Sequence, residues 1–594
     1  MNITRITNIS LMEWIALFFT FGSLYYFLFD YQFSFNYNVL YNKQYSLLLI
    51  NSIYLLSSSL VLIFSKASPY KFRLCLVGEF LLYFYSFYNA ELEYIVVILT
   101  IMTVILALVK MRLDLIYCLF FFVFCFFLVE VSLGLKQLLQ NESLTGSLKN
   151  SGIYSLYLSL HLFPMGLLIV RKYKFEKAIL SNYLPAVFLL LLITIFLIVL
   201  TSSRTALLIS VFSFIMIVFH RKAYIRSHDT NRKPYVRLAI VSGVLFAGSY
   251  YFYILSQQKS LSAKGRILMS KIALEHLNDF FWLGTGLGKF TWYYPQWQSA
   301  FFEHHTEISN QTKLVSGESY IILNEFLQLA ETIGVPAFAI LLSWFIFFLF
   351  SRKISAQPTL YYTTQVVISL ILISALFTYP FHVNSILFLF SLVVVVRLKL
   401  RAKETPKIYG FLRLKIFLSL IVLASILAIY TSLRIVNINI AVWKWHSIRS
   451  SNQSLEQQHI ELKKLLPVLN RDAKFLTDYA SLSLDGASDT DSAIRMLLKV
   501  KKTYITREVI ELLGRAYLKK KDFSNAIHYY TWIDNYIPCL FRPKYELLQL
   551  YLDIGKFQQA RKIALEIIKT PVKVNSIEVY FYKKQAKDIL EEYR

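Results

Sequence analysis

The residues with chemical potential in this chain are those that interrupt otherwise apolar runs. Arg204 stands in Thr201-Ser202-Ser203-Arg204-Thr205, a short polar turn between two such runs. A charge at the edge of a membrane-length apolar segment is costly and calls for a reason. Two readings are open. The side chain either snorkels to an interface or clamps phosphate oxygens with its planar fork of donors, with the Ser203 hydroxyl beside it as a further donor. Arg266 follows Gly265 at the start of what reads as an amphipathic helix running to about Asp279. In Trp282-Leu283-Gly284-Thr285-Gly286-Leu287-Gly288-Lys289-Phe290 the alternating Gly284, Gly286 and Gly288 permit a tight turn and close backbone approach to an anion. In Asn324-Glu325-Phe326-Leu327-Gln328, Glu325 and Gln328 share a helix face. A carboxylate there either opens a solvated helix or acts as a general base toward a hydroxyl. His304-His305 offers an imidazole for the same task or is simply exposed. The aromatic stretch Phe290–Phe302 suits an interfacial belt or a sugar-stacking surface.

The elements that must position these groups are membrane helices. Of 594 residues, 56% are hydrophobic and 16% charged, with a mean hydropathy of +0.51. Soluble domains carry roughly a quarter charged residues. The composition excludes a soluble enzyme, a fibrous protein and a disordered chain. Candidate spans are Leu11–Phe29, Tyr45–Phe64, Leu74–Tyr88, Tyr94–Val109, Leu115–Val129, Ile153–Val170, Ala186–Leu200, Ala206–Phe219, Leu238–Leu255, Val335–Phe350, Val366–Tyr379, Ile386–Val396 and Ile416–Leu433. That is about 13 helices, each satisfying its backbone internally. Every second loop is rich in Lys and Arg, from Lys66, Lys71 and Arg73 through Arg171–Lys177 to Arg397–Lys415. The rule that basic loops stay inside puts the N-terminus in the cytoplasm. The loop Asn141–Asn150, the segment Ser256–Gly334 and everything after Leu433 then lie on the opposite face.

The net charge of +26 follows from those basic loops, and no basic, aromatic-interleaved soluble surface points to nucleic acid. Cys75, Cys118 and Cys125 lie in apolar runs and Cys539 stands alone. The sequence therefore predicts neither a disulfide framework nor a metal cluster.

The fold expected is all-α. Residues 1–434 form a polytopic membrane helical bundle with residues 256–334 as a large outer loop. Residues 435–594 form a soluble α-solenoid. In that tail, Ala516-Tyr517-Leu518, Phe523 and Ala526 recur 34 positions later as Leu550-Tyr551-Leu552, Phe557 and Ala560. This is the tetratricopeptide period, with small residues where paired helices touch. A degenerate earlier copy lies around Tyr479 and Ala493.

Taken together, the outer-face segments resemble the O-antigen ligase/polymerase superfamily of membrane glycosyltransferases, which includes protein O-oligosaccharyltransferases. Thr145–Ser151 is similar to its Gly-Thr-Phe-x-Asn segment and Ser203-Arg204-Thr205-Ala206 to its Ser-Arg turn. Gly265-Arg266, Leu283–Phe290 and Asn324–Gln328 with Glu331 and Gly334 are similar to three later blocks. One position departs: the histidine that usually precedes the Asn-Glu pair is Leu323 here. The resemblance implies Arg204, Arg266 and Glu325 as catalytic groups, and Asn150, Ser203, Gly286, Gly288, His305, Asn324 and Gln328 as substrate contacts.

It further implies a polyprenyl-diphosphate-linked glycan donor and a hydroxyl acceptor on lipid A-core, a glycan or a protein. The reaction would be metal-independent and need no cofactor. It would take place on the periplasmic face of a bacterial inner membrane, with a possible protein partner on the repeat domain. Ligation, polymerisation and protein glycosylation are not separated by these motifs. A lipid-linked-sugar transporter or a non-catalytic scaffold are the readings from other classes.

Overall fold

The computed structural model describes residues 113–171, 184–225, 260–286, 288–305, 308–350, 358–401, 433, 436–438, 440–486 and 489–592. The spans expected at Leu11–Phe29, Tyr45–Phe64, Leu74–Tyr88, Tyr94–Val109 and Leu238–Leu255 lie outside the described residues, as does all but the last residue of Ile416–Leu433. So do most of the basic loops that set the expected orientation.

Every regular element among the described residues is helical. The first twelve are α1 (Leu113–Leu139), α2 (Ser151–Leu160), α3 (Leu162–Arg171), α4 (Leu184–Leu200), α5 (Arg204–Ile225), α6 (Ser260–Glu275), α7 (Phe290–His304), α8 (Asn310–Val315), α9 (Glu325–Ile333), α10 (Val335–Phe350), α11 (Pro358–Ala375) and α12 (Asn384–Arg401). Two stretches, Leu119–Leu139 and Ser151–Ile169, are long and apolar enough to cross a membrane; Pro185–Leu200, Arg204–Val218, Val335–Phe350 and Thr359–Ala375 are shorter apolar helices. The described residues fall into two compact units. One takes them from Met1–Gln258, Leu323–Phe326 and Leu341–Val436, the other from Lys259–Ile322, Leu327–Ile340 and Asn437–Arg594.

In the first unit α2 packs against α1, α4, α5 and α11. Tyr154, Leu156, Tyr157 and Leu158 are completely enclosed there. The outward faces of α4 and α10 stay apolar, with Phe188, Leu189, Phe347 and Phe350 at least half exposed, as suits a lipid environment.

A charge sits inside this apolar packing. Arg397 on α12 is fully buried. It donates to the carbonyls of Phe348 (3.4 Å) and Leu349 at the end of α10 and to that of Tyr361 (3.1 Å), and lies 4.1 Å over the Tyr361 ring. The last carbonyls of a helix have no partner within it, and a cation at that end also complements the helix dipole. Arg397 thus fastens α10 to α12.

The second unit joins the segment Lys259–Ile322 to the tail. Leu268, Ile272, Phe290, Tyr294 and Trp297 build one apolar core from α6 and α7. The tail contributes α13 (Leu455–Lys463), α14 (Ala473–Asp485), α15 (Thr490–Lys501), α16 (Arg507–Lys519), α17 (Phe523–Tyr536), α18 (Phe541–Asp553), α19 (Phe557–Lys569) and α20 (Ile577–Glu592). From α14 onward each helix packs on the next, and α14, α16 and α18 start 34 residues apart (473, 507, 541). Asp472, Asp489, Thr506 and Asp522 cap four of these helices by accepting from a backbone N–H in the first turn. Ala516, Ala526 and Ala560 are buried where neighbouring helices meet.

Helix α7 packs on α17. Trp292 donates to the Lys501 carbonyl at 3.0 Å, Gln298 to that of Tyr536 at 2.7 Å and Ser299 to that of Trp532 at 3.2 Å. The aromatic stretch expected to form a lipid belt or a sugar platform therefore builds the core and the seat of the tail. Its period-3.6 placement on a helix buries rings that a linear reading leaves exposed.

Replacing Arg397 with Met is expected to lower stability by about 2–4 kcal/mol, because the carbonyls of Phe348 and Leu349 stay buried without their donor, while that of Tyr361 keeps the Thr364 hydroxyl at 2.7 Å. Thermal unfolding of the detergent-purified variant checks this; a midpoint unchanged from wild type would mean that the carbonyls find other partners.

Candidate active site

The turn carrying Arg204 is built by its own hydroxyls. Helix α4 ends at Leu200, and Ser202 adopts a left-handed backbone (φ 52°) that reverses the chain. Thr201 Oγ1 donates to the Ile198 carbonyl at 2.7 Å, and Ser203 Oγ accepts from the Ala206 N–H at 3.4 Å. Ser203, expected as a substrate donor, is thereby engaged as a helix cap. Arg204 opens α5, half-buried, with no acid in the first turn. A cation at a helix N-terminus opposes the dipole and costs stability. The same arrangement concentrates positive potential, which favours an anion.

Asn150 is also a cap. Its Oδ1 accepts from the N–H groups of Gly152 (2.9 Å) and Ile153 (3.1 Å), while its Nδ2 donates to the Tyr379 hydroxyl at 3.3 Å. The turn before it is locked onto α1 by two residues the motif reading did not single out. Gln137 accepts from the N–H groups of Thr145 and Gly146, both at 2.9 Å. Glu130, fully buried, accepts from the Ser147 N–H at 3.1 Å and from the Ser147 hydroxyl. A Cβ on Gly146 would fall 2.1 Å from the Glu130 carboxylate. The signal in the sequence was a lone acid in an apolar run.

Glu325 begins α9 and is 7% exposed. One carboxylate oxygen accepts from the Phe381 N–H at 3.0 Å and from His382 Nδ1 at 2.9 Å. Its side chain and that of Asn150 therefore both bond to the segment Tyr379–His382, between α11 and α12. Asn324 accepts from the Phe326 N–H at 3.1 Å, a local turn at the helix start.

The remaining candidates belong to the second unit. Arg266 lies within α6, which begins at Ser260 rather than at Gly265, and is half-buried. Gln328 is buried and accepts from the Ile322 N–H at 2.9 Å, which fixes the chain ahead of α9. His305, exposed at the end of α7, bonds the Phe301 carbonyl through Nδ1 at 2.8 Å and stacks on the Phe301 ring.

The glycine-rich turn differs from the expected anion cradle. The N–H groups of Thr285 and Gly286 donate to the carbonyls of Glu331 (2.8 Å) and Thr332 (3.0 Å) at the end of α9. Helix-end carbonyls compete for those donors because they lack partners of their own. Gly284 (φ 69°) would bring a Cβ within 2.3 Å of the Thr332 carbonyl oxygen, so glycine is required for this approach. Gly286 and Gly288 likewise have positive φ. The turn serves as a helix stop.

Glu331 sits against this turn at 1% exposure, and its carboxylate oxygens make no hydrogen bond of normal geometry. Burial pushes its carboxyl up to about 7, while the nearby Thr285 hydroxyl pulls in the other direction. Among the described residues, no group of three or more His, Cys, Asp or Glu side chains could hold a metal ion.

With this geometry in view, the comparisons add one family. Residues 189–342 match the family model described as O-antigen ligase. The matched stretch contains Arg204, Arg266, the glycine turn and the Asn324–Gln328 block, and it supports the ligase/polymerase family. Asn150 and His382 lie outside it. No curated protein matches the chain.

His382 was not legible in the sequence. Its partner is 57 positions away, and no spacing rule connects them.

Glu331 makes stability depend on pH. Its folded pKa exceeds the ordinary carboxyl value of 4.5, so the folded state holds the extra proton between about pH 4.5 and 7. Stability therefore falls as pH rises through that window, by about 3 kcal/mol in total. Glu331→Gln is expected to flatten this slope and to raise the melting temperature at pH 8. An unaltered pH dependence of melting would show that Glu331 is ionised when folded.

Proposed function

We propose that this chain is a membrane glycosyltransferase of the O-antigen ligase type. It moves an oligosaccharide from a polyprenyl-diphosphate carrier to a hydroxyl acceptor on lipid A-core, another glycan or a protein. The observation that carries the reading is the family match over residues 189–342, which takes in both arginines and the Glu325 block. Ligation onto lipid A-core is the first acceptor to test, with polymerisation and protein glycosylation as the alternatives within the class.

In this reading the acceptor hydroxyl attacks the anomeric carbon as the bond to the diphosphate breaks. Negative charge grows on the departing lipid diphosphate. Arg204 and Arg266 are assigned to that charge, because a preorganised cation is worth most where charge develops. Arg204 suits the task by its place at the N-terminus of a helix whose own first turn carries no acid. Glu325 serves the acceptor side. Asn150, Ser203 and Asn324 hold local backbone in the first unit, and Gln328, His305 and the glycine turn hold that of the second.

We further place the chain in the bacterial cytoplasmic membrane, with a cytoplasmic N-terminus and residues 435–594 on the periplasmic side. The tail is read as a tetratricopeptide-like stack that recruits an acceptor or a protein partner. Its 34-residue helix period and its buried alanines support this.

Arg204→Ala and Arg266→Ala are each expected to cut transfer by roughly 10²–10³-fold, the scale seen when one charge-stabilising group is removed. Loss of surface glycan with accumulation of lipid-linked precursor in cells reads this out. Wild-type glycan in either variant, with normal membrane insertion, would remove that arginine from the mechanism.

Deleting residues 437–594 separates an enzyme from a scaffold only poorly, because it strips Trp292, Gln298 and Ser299 of their partners. The truncated protein is expected to lose yield and melt lower than either arginine variant. A truncation that purifies as well as wild type would contradict the seating of α7 on the tail.

A further inference from the structure

We propose that His382 is the base that takes the acceptor proton, oriented by Glu325. The proposal rests on the transferase reading above and names the group that reading leaves open at Leu323. Three observations carry it. His382 Nδ1 lies 2.9 Å from a Glu325 carboxylate oxygen. The same oxygen receives the Phe381 N–H at 3.0 Å, so the carboxylate is fixed from two sides by adjacent residues of one turn. Both side chains are mostly enclosed, at 12% and 8% exposure.

The chemistry follows from the donor inventory. An ionised carboxylate only accepts, so Nδ1 carries the hydrogen of this bond, and the lone pair of the neutral ring lies on Nε2. A carboxylate behind an imidazole fixes its tautomer and stabilises the imidazolium that forms on proton uptake. The acceptor oxygen forms its bond to the anomeric carbon, and the carbon–oxygen bond to the diphosphate breaks. The electron pair leaves with the lipid diphosphate, and the hydroxyl proton moves to Nε2. Release of that proton to water restores the neutral ring.

The placement also accounts for the departure at Leu323. A base acts from a point in space and not from a place in a motif. The chain supplies one from the segment between α11 and α12, on the carboxylate of the very motif that lacks it. The Asn150 amide bonds the Tyr379 hydroxyl of the same segment at 3.3 Å, so a second candidate residue steadies the turn that carries His382.

His382→Gln tests this. A glutamine amide can still donate to Glu325 but cannot take up a proton, so it rescues a merely structural role and not a basic one. The assay uses purified full-length protein, a polyprenyl-diphosphate-linked oligosaccharide and lipid A-core in mixed micelles. The expected result is a fall in kcat of about 10²–10⁴-fold with the donor KM within about twofold, since only an interaction made in the transition state is lost. A kcat fall of less than about tenfold, or a loss expressed in KM, overturns the proposal. If His382→Gln does not purify folded, His382→Asn carries the same criteria. Absence of transfer by the wild-type protein to lipid A-core, to a second glycan and to a protein acceptor alike would instead overturn the transferase reading and the base with it. Wild-type transfer with an active His382→Gln would remove His382 alone.

Discussion

A carboxylate with little water around it must find donors or give up its charge. Glu325 finds two, on consecutive residues of the turn between α11 and α12. This is the constraint from which the rest of the candidate site takes its shape in the first unit. It explains why the Asn-Glu pair opens a helix: the first turn of α9 places the side chain at the edge, within reach of a backbone N–H 56 residues later. It also explains why Phe381 and His382 need no regular element of their own. A short helical turn at Pro380–His382, ended by the extended Val383, is enough when an anion holds it. Arg397 acts at the other end of α12, so that helix is tethered by polar contacts at both ends within an apolar surround.

Much of the outline was legible. The apolar runs gave α4 and α10 close to their observed limits, because a helix of Leu, Phe and Ile has no internal breaker; α1 and α5 continue past the expected Val129 and Phe219 to Leu139 and Ile225. The Arg204 turn was readable for the opposite reason: Thr, Ser and Ser compete with the helix for backbone hydrogen bonds. The 34-residue spacing of the tail helices was written in the alanines that let them approach. The single run Ile153–Val170 proved to be two helices meeting at His161, whose Nδ1 bonds the Tyr157 carbonyl. Ile386–Val396, short as an apolar run, extends into an 18-residue helix, because the enclosed Arg397 continues it where a hydropathy reading stops.

What was not legible depends on pairs distant along the chain. The glycine motif suggested an anion because free N–H groups at a tight turn attract one. The structure supplies the end of α9 instead, and helix-end carbonyls satisfy the same donors at no cost in desolvated charge. The aromatic run suggested a surface because its rings follow one another in sequence. Once on a helix, Tyr294 and Trp297 turn inward, and Trp292, Gln298 and Ser299 bond the tail. Neither outcome contradicts local propensity; each is decided by partners distant along the chain.

The motif departure at Leu323 shows the same principle acting on chemistry. Reading residue by residue, the missing histidine leaves a carboxylate alone. Reading by contact, the carboxylate is not alone: an imidazole lies on it at hydrogen-bond distance. Proton transfer depends on the position and basicity of a nitrogen, and the chain segment that delivers it is indifferent. A loop-borne histidine before Glu325 and a turn-borne histidine after Tyr379 are equivalent if each is oriented by an anion and shielded from bulk water. The second arrangement binds the base to the same oxygen that anchors its own turn, so any substitution that frees Glu325 also releases His382.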